Sequence, residues 1–302
     1  MADVLSRGNL FDPELVADLI NKVKGKSSIA ILSQQEPIPF NGQKEFTFTM
    51  DSEIDVVAEN GKKSHGGISI DPLTIVPIKV EYGARVSDEF LYAAEEEKIA
   101  ILKAFNEGYA KKLAKGLDLM AMHGINPRTG TASEVIGTNN FDSKVTQTVD
   151  YTVDDPDLNI ETAVEMIEAE EGEVNGLIMS TIFRSALAKM KVGEARKYPE
   201  LAWGGNPGTL NGLRMDANIT ISANNSNDRA IVGDFSSMFK WGYAKQIPLE
   251  VIRYGDPDNS GKDLKGYNQV YLRTETYLGW GIMDPNNFAI IKDNGGGGGV
   301  EG

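Results

Sequence analysis

Between Ser87 and Met122 the sequence describes one long helix, and few compact folds have room for it. Ser87 stands at a capping position, and Leu91, Leu102, Phe105, Tyr109, Leu113, Leu117 and Met120 recur at spacings that share one helical face. Acids come early (Asp88, Glu89, Glu95, Glu96, Glu97) and lysines late (Lys103, Lys111, Lys112, Lys115), the polarity a single macrodipole favours. Continuous from 88 to 122, such a helix reaches about 50 Å at 1.5 Å per residue, roughly the full width of a globule of this length. Gly108 and Gly116 weaken it locally. The reading is a structural spine.

Composition narrows the chemistry. The chain has 302 residues, with 44 acids against 30 bases and a net charge of −14. Apolar residues at 41% and charged residues at 25% are those of an ordinary soluble globular protein, with length for about two compact regions. The absence of cysteine excludes a disulfide scaffold, a thiolate zinc site, an iron–sulfur cluster and a cysteine nucleophile. Two histidines, His65 and His123, leave little for histidine catalysis or metal binding. The acidic balance argues against wrapping DNA by phosphate neutralisation. No apolar run of about 18 residues exists to span a membrane, and MADVLSRGNLFDPEL lacks the pattern of a secretory signal. The chain reads as made inside a cell and reduced.

Ahead of the spine lie an arm and a hairpin. Asp12-Pro13-Glu14 starts a short helix with a stripe at Leu15, Leu19, Ile20 and Val23, and Ile29 to Phe40 reads as extended chain. Alternation follows at Phe46, Phe48, Met50, Ile54 and Val56. A polar tip, Ala58 to Gly67, carries the Asn60-Gly61 turn signal, and a return strand runs through Ile68, Ile70, Ile75, Ile78 and Val80. A long hairpin is marginal in water alone, so it either rests on another surface, often another chain, or lies at the edge of a larger sheet in its own domain. On the first reading the tip residues Asn60, Gly61, Lys62, Lys63 and His65 are candidates for intersubunit contact.

Beyond Gly124 a turn-rich stretch leads to a region where helix and strand alternate. Asn159 reads as the cap of a helix to Glu171, Gly176 to Ser180 as a buried strand, and Thr181 to Lys191 as a helix. A glycine-rich loop at Trp203–Gly208 follows, then strands at 213–222, 230–233 and 244–254. Long alternation returns from Tyr267 to Met283, with Phe288 to Ile291 as a last strand. The tail from Asn294, with five successive glycines, is expected to be disordered.

A search for catalytic chemistry returns nothing. Gly25-Lys26-Ser27 lacks the earlier glycine of a phosphate loop, since Ile20 stands there. Asp256-Pro257-Asp258-Asn259-Ser260-Gly261 begins like a calcium loop, but Tyr267 occupies the bidentate glutamate position, so a polar turn is expected. Glu168, Glu170, Glu171 and Glu173 read as a solvated face. Neither histidine has a sequence neighbour at metal-ligand spacing. No catalytic, cofactor-binding or metal residue is assigned.

An arm, a projecting hairpin and a spine without a catalytic constellation suit a protein that touches copies of itself. In this order the parts resemble the major capsid proteins of tailed bacteriophages with the Hong Kong 97-type fold. Leu210-Asn211-Gly212-Leu213-Arg214-Met215, Gly233-Asp234-Phe235-Ser236 and Trp241-Gly242 are similar to the axial-domain core of that family. Tyr271-Leu272-Arg273-Thr274-Glu275, Gly279-Trp280 and Asp284-Pro285-Asn286-Asn287-Phe288-Ala289 resemble its closing strands.

The resemblance implies an α+β fold divided into an N-terminal arm (1–43), an extended hairpin loop (44–84) and a peripheral domain with the spine helix (85–150). An axial domain (151–254), return strands of the peripheral domain (255–293) and the tail (294–302) complete it. It further implies a virion protein, assembled in the host bacterial cytoplasm, whose pentamers and hexamers form an icosahedral shell around dsDNA without sequence-specific binding. A separate scaffolding protein and a portal are the expected partners, because the arm begins near Met1. Lys62 and Lys63 lie where some relatives cross-link, but no partner asparagine or catalytic acid matches, so non-covalent assembly is expected. Two alternatives are an encapsulin-type nanocompartment shell and an α/β enzyme using acids such as Asp234 or Glu200 around the Trp203–Gly212 loop.

Overall fold

A computed structural model describes residues 27–50, 54–62, 65–92 and 95–295 of the chain. The helix expected from Asp12, Lys63 at the hairpin tip, and residues 296–302 of the tail lie outside the described residues.

The segment expected to be extended from Ile29 begins instead with one helical turn, α1 (Ser28–Leu32). Ser27 Oγ accepts the Ala30 N–H, while the N–H groups of Ser28 and Ile29 donate to the Asp118 carboxylate at 3.1 and 3.3 Å. So short a helix is unstable alone; the buried acceptor for its first N–H groups holds it. Beyond it the chain does run extended. Gln35 bridges Trp241 in parallel, the Glu36 N–H reaches the Trp241 carbonyl at 2.9 Å, and the Ile38 N–H reaches the Tyr243 carbonyl at 3.3 Å.

Strands β1 (Gln43–Met50) and β2 (Ile68–Ile75) form an antiparallel hairpin, with Gln43 opposite Ile75 and Met50 opposite Ile68. The alternation at Ile54 and Val56 does not extend the ladder, and residues 54–58 lie outside it. Asn60 and Gly61 close only a local turn, through the Gly61 N–H and the Ala58 carbonyl at 2.8 Å. The single return strand expected through Val80 is two strands, because Pro77 brings no N–H to a ladder. After the break, β3 (Ile78–Ser87) enters a different sheet.

Ser87 does cap, but it caps a 3-10 turn, Asp88–Leu91. The spine itself, α2 (Glu95–His123), has 29 residues and spans about 44 Å. Tyr109, Leu113, Leu117 and Met120 are buried on the expected face, while Lys103, Lys111, Lys112 and Lys115 are exposed. From Gly116 to Met122 every residue is buried, because the last two turns run into the centre of the molecule.

Strands β4 (Ile125–Asn126) and β5 (Thr131–Ala132) make a small hairpin, followed by α3 (Phe141–Lys144) and β6 (Thr148–Asp150). Helix α4 (Pro156–Ala169) starts at Pro156 rather than at Asn159. Proline fits the first helical position, and the Asn159 side chain instead accepts the Thr152 N–H and donates to the Asp150 carbonyl. Next come β7 (Gly176–Met179) and α5 (Thr181–Lys189), whose Ser180 cap accepts the Phe183 N–H, then the small hairpin β8 (Lys191–Val192) and β9 (Ala195–Arg196). Strands β10 (Thr209–Leu210) and β11 (Leu213–Ala217) follow, the latter ending before the 3-10 segment Thr220–Asn225. The remainder is β12 (Asp228–Gly233), β13 (Phe239–Ile252), β14 (Gln269–Ile282) and β15 (Phe288–Lys292).

Two sheets organise these strands. One has six, in the order β10-β11-β7-β12-β15-β6; the other has three, β13-β14-β3. Their membership crosses the division expected at 254: β13 lies in the three-stranded sheet with β14, whereas β15 lies between β12 and β6. Alternation explains the six-stranded sheet. Leu177, Met179, Ala230, Val232, Ala289 and Ile291 face α4 and α5, packing with Ala163, Ile167, Phe183 and Leu187. Ile178, Ile231, Phe288 and Ile290 face the other way, toward α1, α2 and the three-stranded sheet's Trp241, Leu278 and Trp280. Covered on both faces, these strands carry unbroken apolar runs.

Asp118 sits between these layers with no exposed surface. It accepts from Ser27 Oγ, from the Ser28 and Ile29 N–H groups, from Asn218 Nδ2 at 3.2 Å and from Thr220 Oγ1 at 3.0 Å. Burial raises its pKa to about 6 against the pull of those donors, so it is ionised at neutral pH. Because the folded value lies above the ordinary value of about 3.9, the fold binds the extra proton between roughly pH 4 and 6, and this group's contribution to stability falls as pH rises through that window. Asp118→Asn, which turns an NH2 toward donors, should cost about 3 kcal/mol at pH 7 in denaturant unfolding of the unassembled chain. That cost should grow by on the order of 3 kcal/mol toward pH 4, since only the native residue titrates; a cost independent of pH would contradict this. A second test concerns Gly242, where an added Cβ would lie 1.6 Å from the Glu36 carbonyl oxygen. Gly242→Ala should displace the 34–39 segment at a cost of about 2 kcal/mol, read as faster protease cleavage there with the core intact.

Candidate functional site

The described residues of the hairpin expose apolar side chains that nothing among the described residues covers. Ile54 and Val56 are each 94% exposed, and Phe46, Val57, Ile68 and Val76 are exposed as well. Around them Asn60, Gly61, Lys62 and His65, the candidate contact residues, are all exposed. The base of the hairpin is fixed: Ile75 is buried beside Gly279 and Gly281 of β14. A rigid root and an apolar, open tip make a surface suited to association.

A second exposed feature lies in the loop between β9 and β10. Trp203, in a left-handed backbone conformation (φ 51°), is 98% exposed, with the Arg196 guanidinium 5.7 Å from its ring centre. The composition of this loop signalled a turn, and only the structure shows its tryptophan turned outward.

The motifs considered for chemistry have structural duties. Ser27 is bonded to Asp118 and caps α1, with Gly25 and Lys26 outside the described residues. Asp256 and Asp258 grip Arg85: Arg85 Nη2 lies 2.6 Å from Asp256 Oδ1, and its Nε lies 2.9 Å from Asp258 Oδ2. The guanidinium holds Asp258 well below the usual carboxylate range. Asp256 also accepts the Ser260 and Gly261 N–H groups, completing a polar turn. Glu168, Glu170, Glu171 and Glu173 are exposed, as a solvated face requires. Asp234 accepts the Ser236 and Ser237 N–H groups, and Glu200 is an exposed residue of a 3-10 segment.

His123 departs from the expectation that it has no neighbouring ligand. Folding brings Asp142 Oδ2 to 2.8 Å and Asp228 Oδ2 to 3.6 Å from its Nδ1. Burial opposes charge on the ring, but the Asp142 hydrogen bond and the two carboxylate charges prevail and raise its pKa. Burial, together with the adjacent Asp142, pushes Asp228 up to about 6. The three residues are too far apart in sequence for any spacing rule to connect them.

Comparison with known proteins agrees with this distribution of duties. The model of the Phage capsid family matches residues 7–293. A solved structure from Mycobacterium phage Ogopogo is 32% identical, with a TM-score of 0.76 over 89% of this chain and 92% of that one. One from Gordonia phage Cozz is 23% identical, with a TM-score of 0.73 over 88% and 86% of the two chains. The capsid of a native GTA particle, computed with C5 symmetry, shares the fold at 14% identity, with a TM-score of 0.62 over 88% and 89%. No curated protein sequence matches. The chain belongs to the phage capsid family and is a major capsid protein of the Hong Kong 97-like fold, the repeating subunit of a virion shell.

Proposed function

We propose that the subunit assembles into pentamers and hexamers of an icosahedral shell enclosing dsDNA, with residues 44–75 as an extended loop lying on a neighbouring subunit. The observation that carries this reading is the hairpin: a buried root at Ile75 and a tip whose Ile54 and Val56 are 94% exposed. Apolar side chains at the end of a two-stranded arm gain by burial against another surface, about 25 cal/mol per Å2. The second copy of the chain is the partner always present in a shell.

The N-terminal arm (1–43) reaches a second neighbour in this reading. The region around Trp203 points toward the symmetry axis of each pentamer or hexamer, so the six-stranded sheet with α4 and α5 serves as the axial domain. The three-stranded sheet and α2 form the peripheral domain. A net charge of −14 suits a container for DNA, because an inner wall that bound phosphates tightly would hinder packing and release. Assembly is non-covalent, takes place in the host bacterial cytoplasm, and involves a separate scaffolding protein and a portal. The subunit has no catalytic duty. The encapsulin-type reading is not favoured, since the family matched is that of phage capsids.

Deleting residues 59–67 tests the proposal. The variant should keep the unfolding midpoint of the parent, because the described residues of this stretch are exposed and lie outside both cores, yet should fail to close shells under electron microscopy. Normal shells from a folded deletion variant would refute an intersubunit role for the loop.

A further inference from the structure

Three elements that meet at the end of the spine place His123, Asp142 and Asp228 around one point. His123 ends α2, Asp142 lies in α3, and Asp228 begins β12; one ligand atom from each lies within 4.8 Å of the others. The tautomer follows from the far side of the ring. His123 Nε2 is 3.1 Å from the Thr220 carbonyl oxygen, which can only accept, so Nε2 carries a proton and Nδ1 faces the carboxylates. A backbone carbonyl that orients a ring in this way is the usual outer partner of a metal-binding histidine.

Asp228 supplies an independent indication. It is 1% exposed, and neither carboxylate oxygen receives a hydrogen bond from the described residues. Lys292 Nζ approaches Oδ1 only to 3.6 Å, and His123 Nδ1 stands 3.6 Å from Oδ2. A buried carboxylate whose oxygens receive no hydrogen bond is satisfied either by a carboxyl proton of its own bridging to the adjacent Asp142 or by a cation between them. A proton on His123 Nδ1 would serve Asp142 at 2.8 Å and leave Asp228 without a hydrogen bond. A cation between the three groups serves both carboxylates.

We propose that His123 Nδ1, Asp142 Oδ2 and Asp228 Oδ2 form a divalent metal site that fastens the end of the spine to α3 and the six-stranded sheet. One nitrogen and two carboxylate oxygens are too few ligands for calcium, which takes about 6–8 oxygens, and they suit Zn2+. Tetrahedral ligands sit about 3.3 Å apart around zinc, so Nδ1 and Asp142 Oδ2 separate by about half an ångström on binding. Asp142, partly open to solvent, gives the ion its entry, and water takes the remaining position. Lys292 tempers the affinity through its positive charge.

The test uses the tag-free full-length chain, stripped with EDTA and titrated with Zn2+ alone by calorimetry, with bound metal counted by mass spectrometry. One ion per chain is expected, together with a zinc-dependent rise in melting temperature. Asp142→Asn, at the most accessible ligand, should keep its circular dichroism spectrum, weaken binding at least about tenfold and lose the thermal shift. Lys292→Met should bind several-fold more tightly, as removal of a competing charge requires. No saturable uptake by the parent chain, uptake unchanged in Asp142→Asn, or weaker uptake in Lys292→Met would each overturn the site.

Discussion

The Asp118 carboxylate holds together parts of the chain that share no continuous secondary structure. Its two oxygens take donors from the cap and first turn of α1, and from Asn218 and Thr220 beyond β11. Without an acceptor there, α1 has neither the length to persist nor a reason to turn. Ser28, held in that turn, donates in turn to Asp216 of β11, so the arm's root is bonded to the spine and to the six-stranded sheet at once. From this anchored turn the extended segment leaves along β13, and the hairpin follows from it. The projecting parts of the subunit thus start from a point that cannot slide.

In the proposed assembly, what projects is available to other subunits. The hairpin root is locked by Ile75, and the arm segment at 34–39 is pressed onto Gly242 by the close approach of Glu36. Both attachments lie on the three-stranded sheet, beside the spine. Helices α4 and α5 cover the far face of the other sheet, leaving Trp203 at an outer loop. In the proposed assembly, the contact surfaces and the core are separate, so a substitution at a tip should alter association without loosening the fold.

Much of this was legible in the sequence because it is periodic. The face of Tyr109, Leu113, Leu117 and Met120 marked the spine, the apolar run of β7 marked a doubly covered strand, and the alternation around Phe46 marked the hairpin. What escaped the pattern depends on contacts distant in sequence. The α1 turn exists because Asp118 lies about ninety residues away, and within the apolar stripe of the spine that acid has no periodic meaning. The start of α4 was misplaced by four residues because Asn159 resembles a cap, whereas Asp155 holds that position and Pro156 governs. Sheet membership at the end was not legible either: β15 follows β14 closely in sequence but joins β12 and β6 in space. The cluster of His123, Asp142 and Asp228 likewise assembles only on folding.

The central claim is that the apolar hairpin tip is completed by another copy of the chain. A cryo-electron microscopy map of the assembled shell, at a resolution that places side chains, tests it most directly. The account predicts Phe46, Ile54, Val56 and Ile68 buried against a neighbouring subunit, with Ile75 still seated on β14 of its own. A hairpin folded back on its own subunit, or a tip left in solvent around the whole shell, would contradict it.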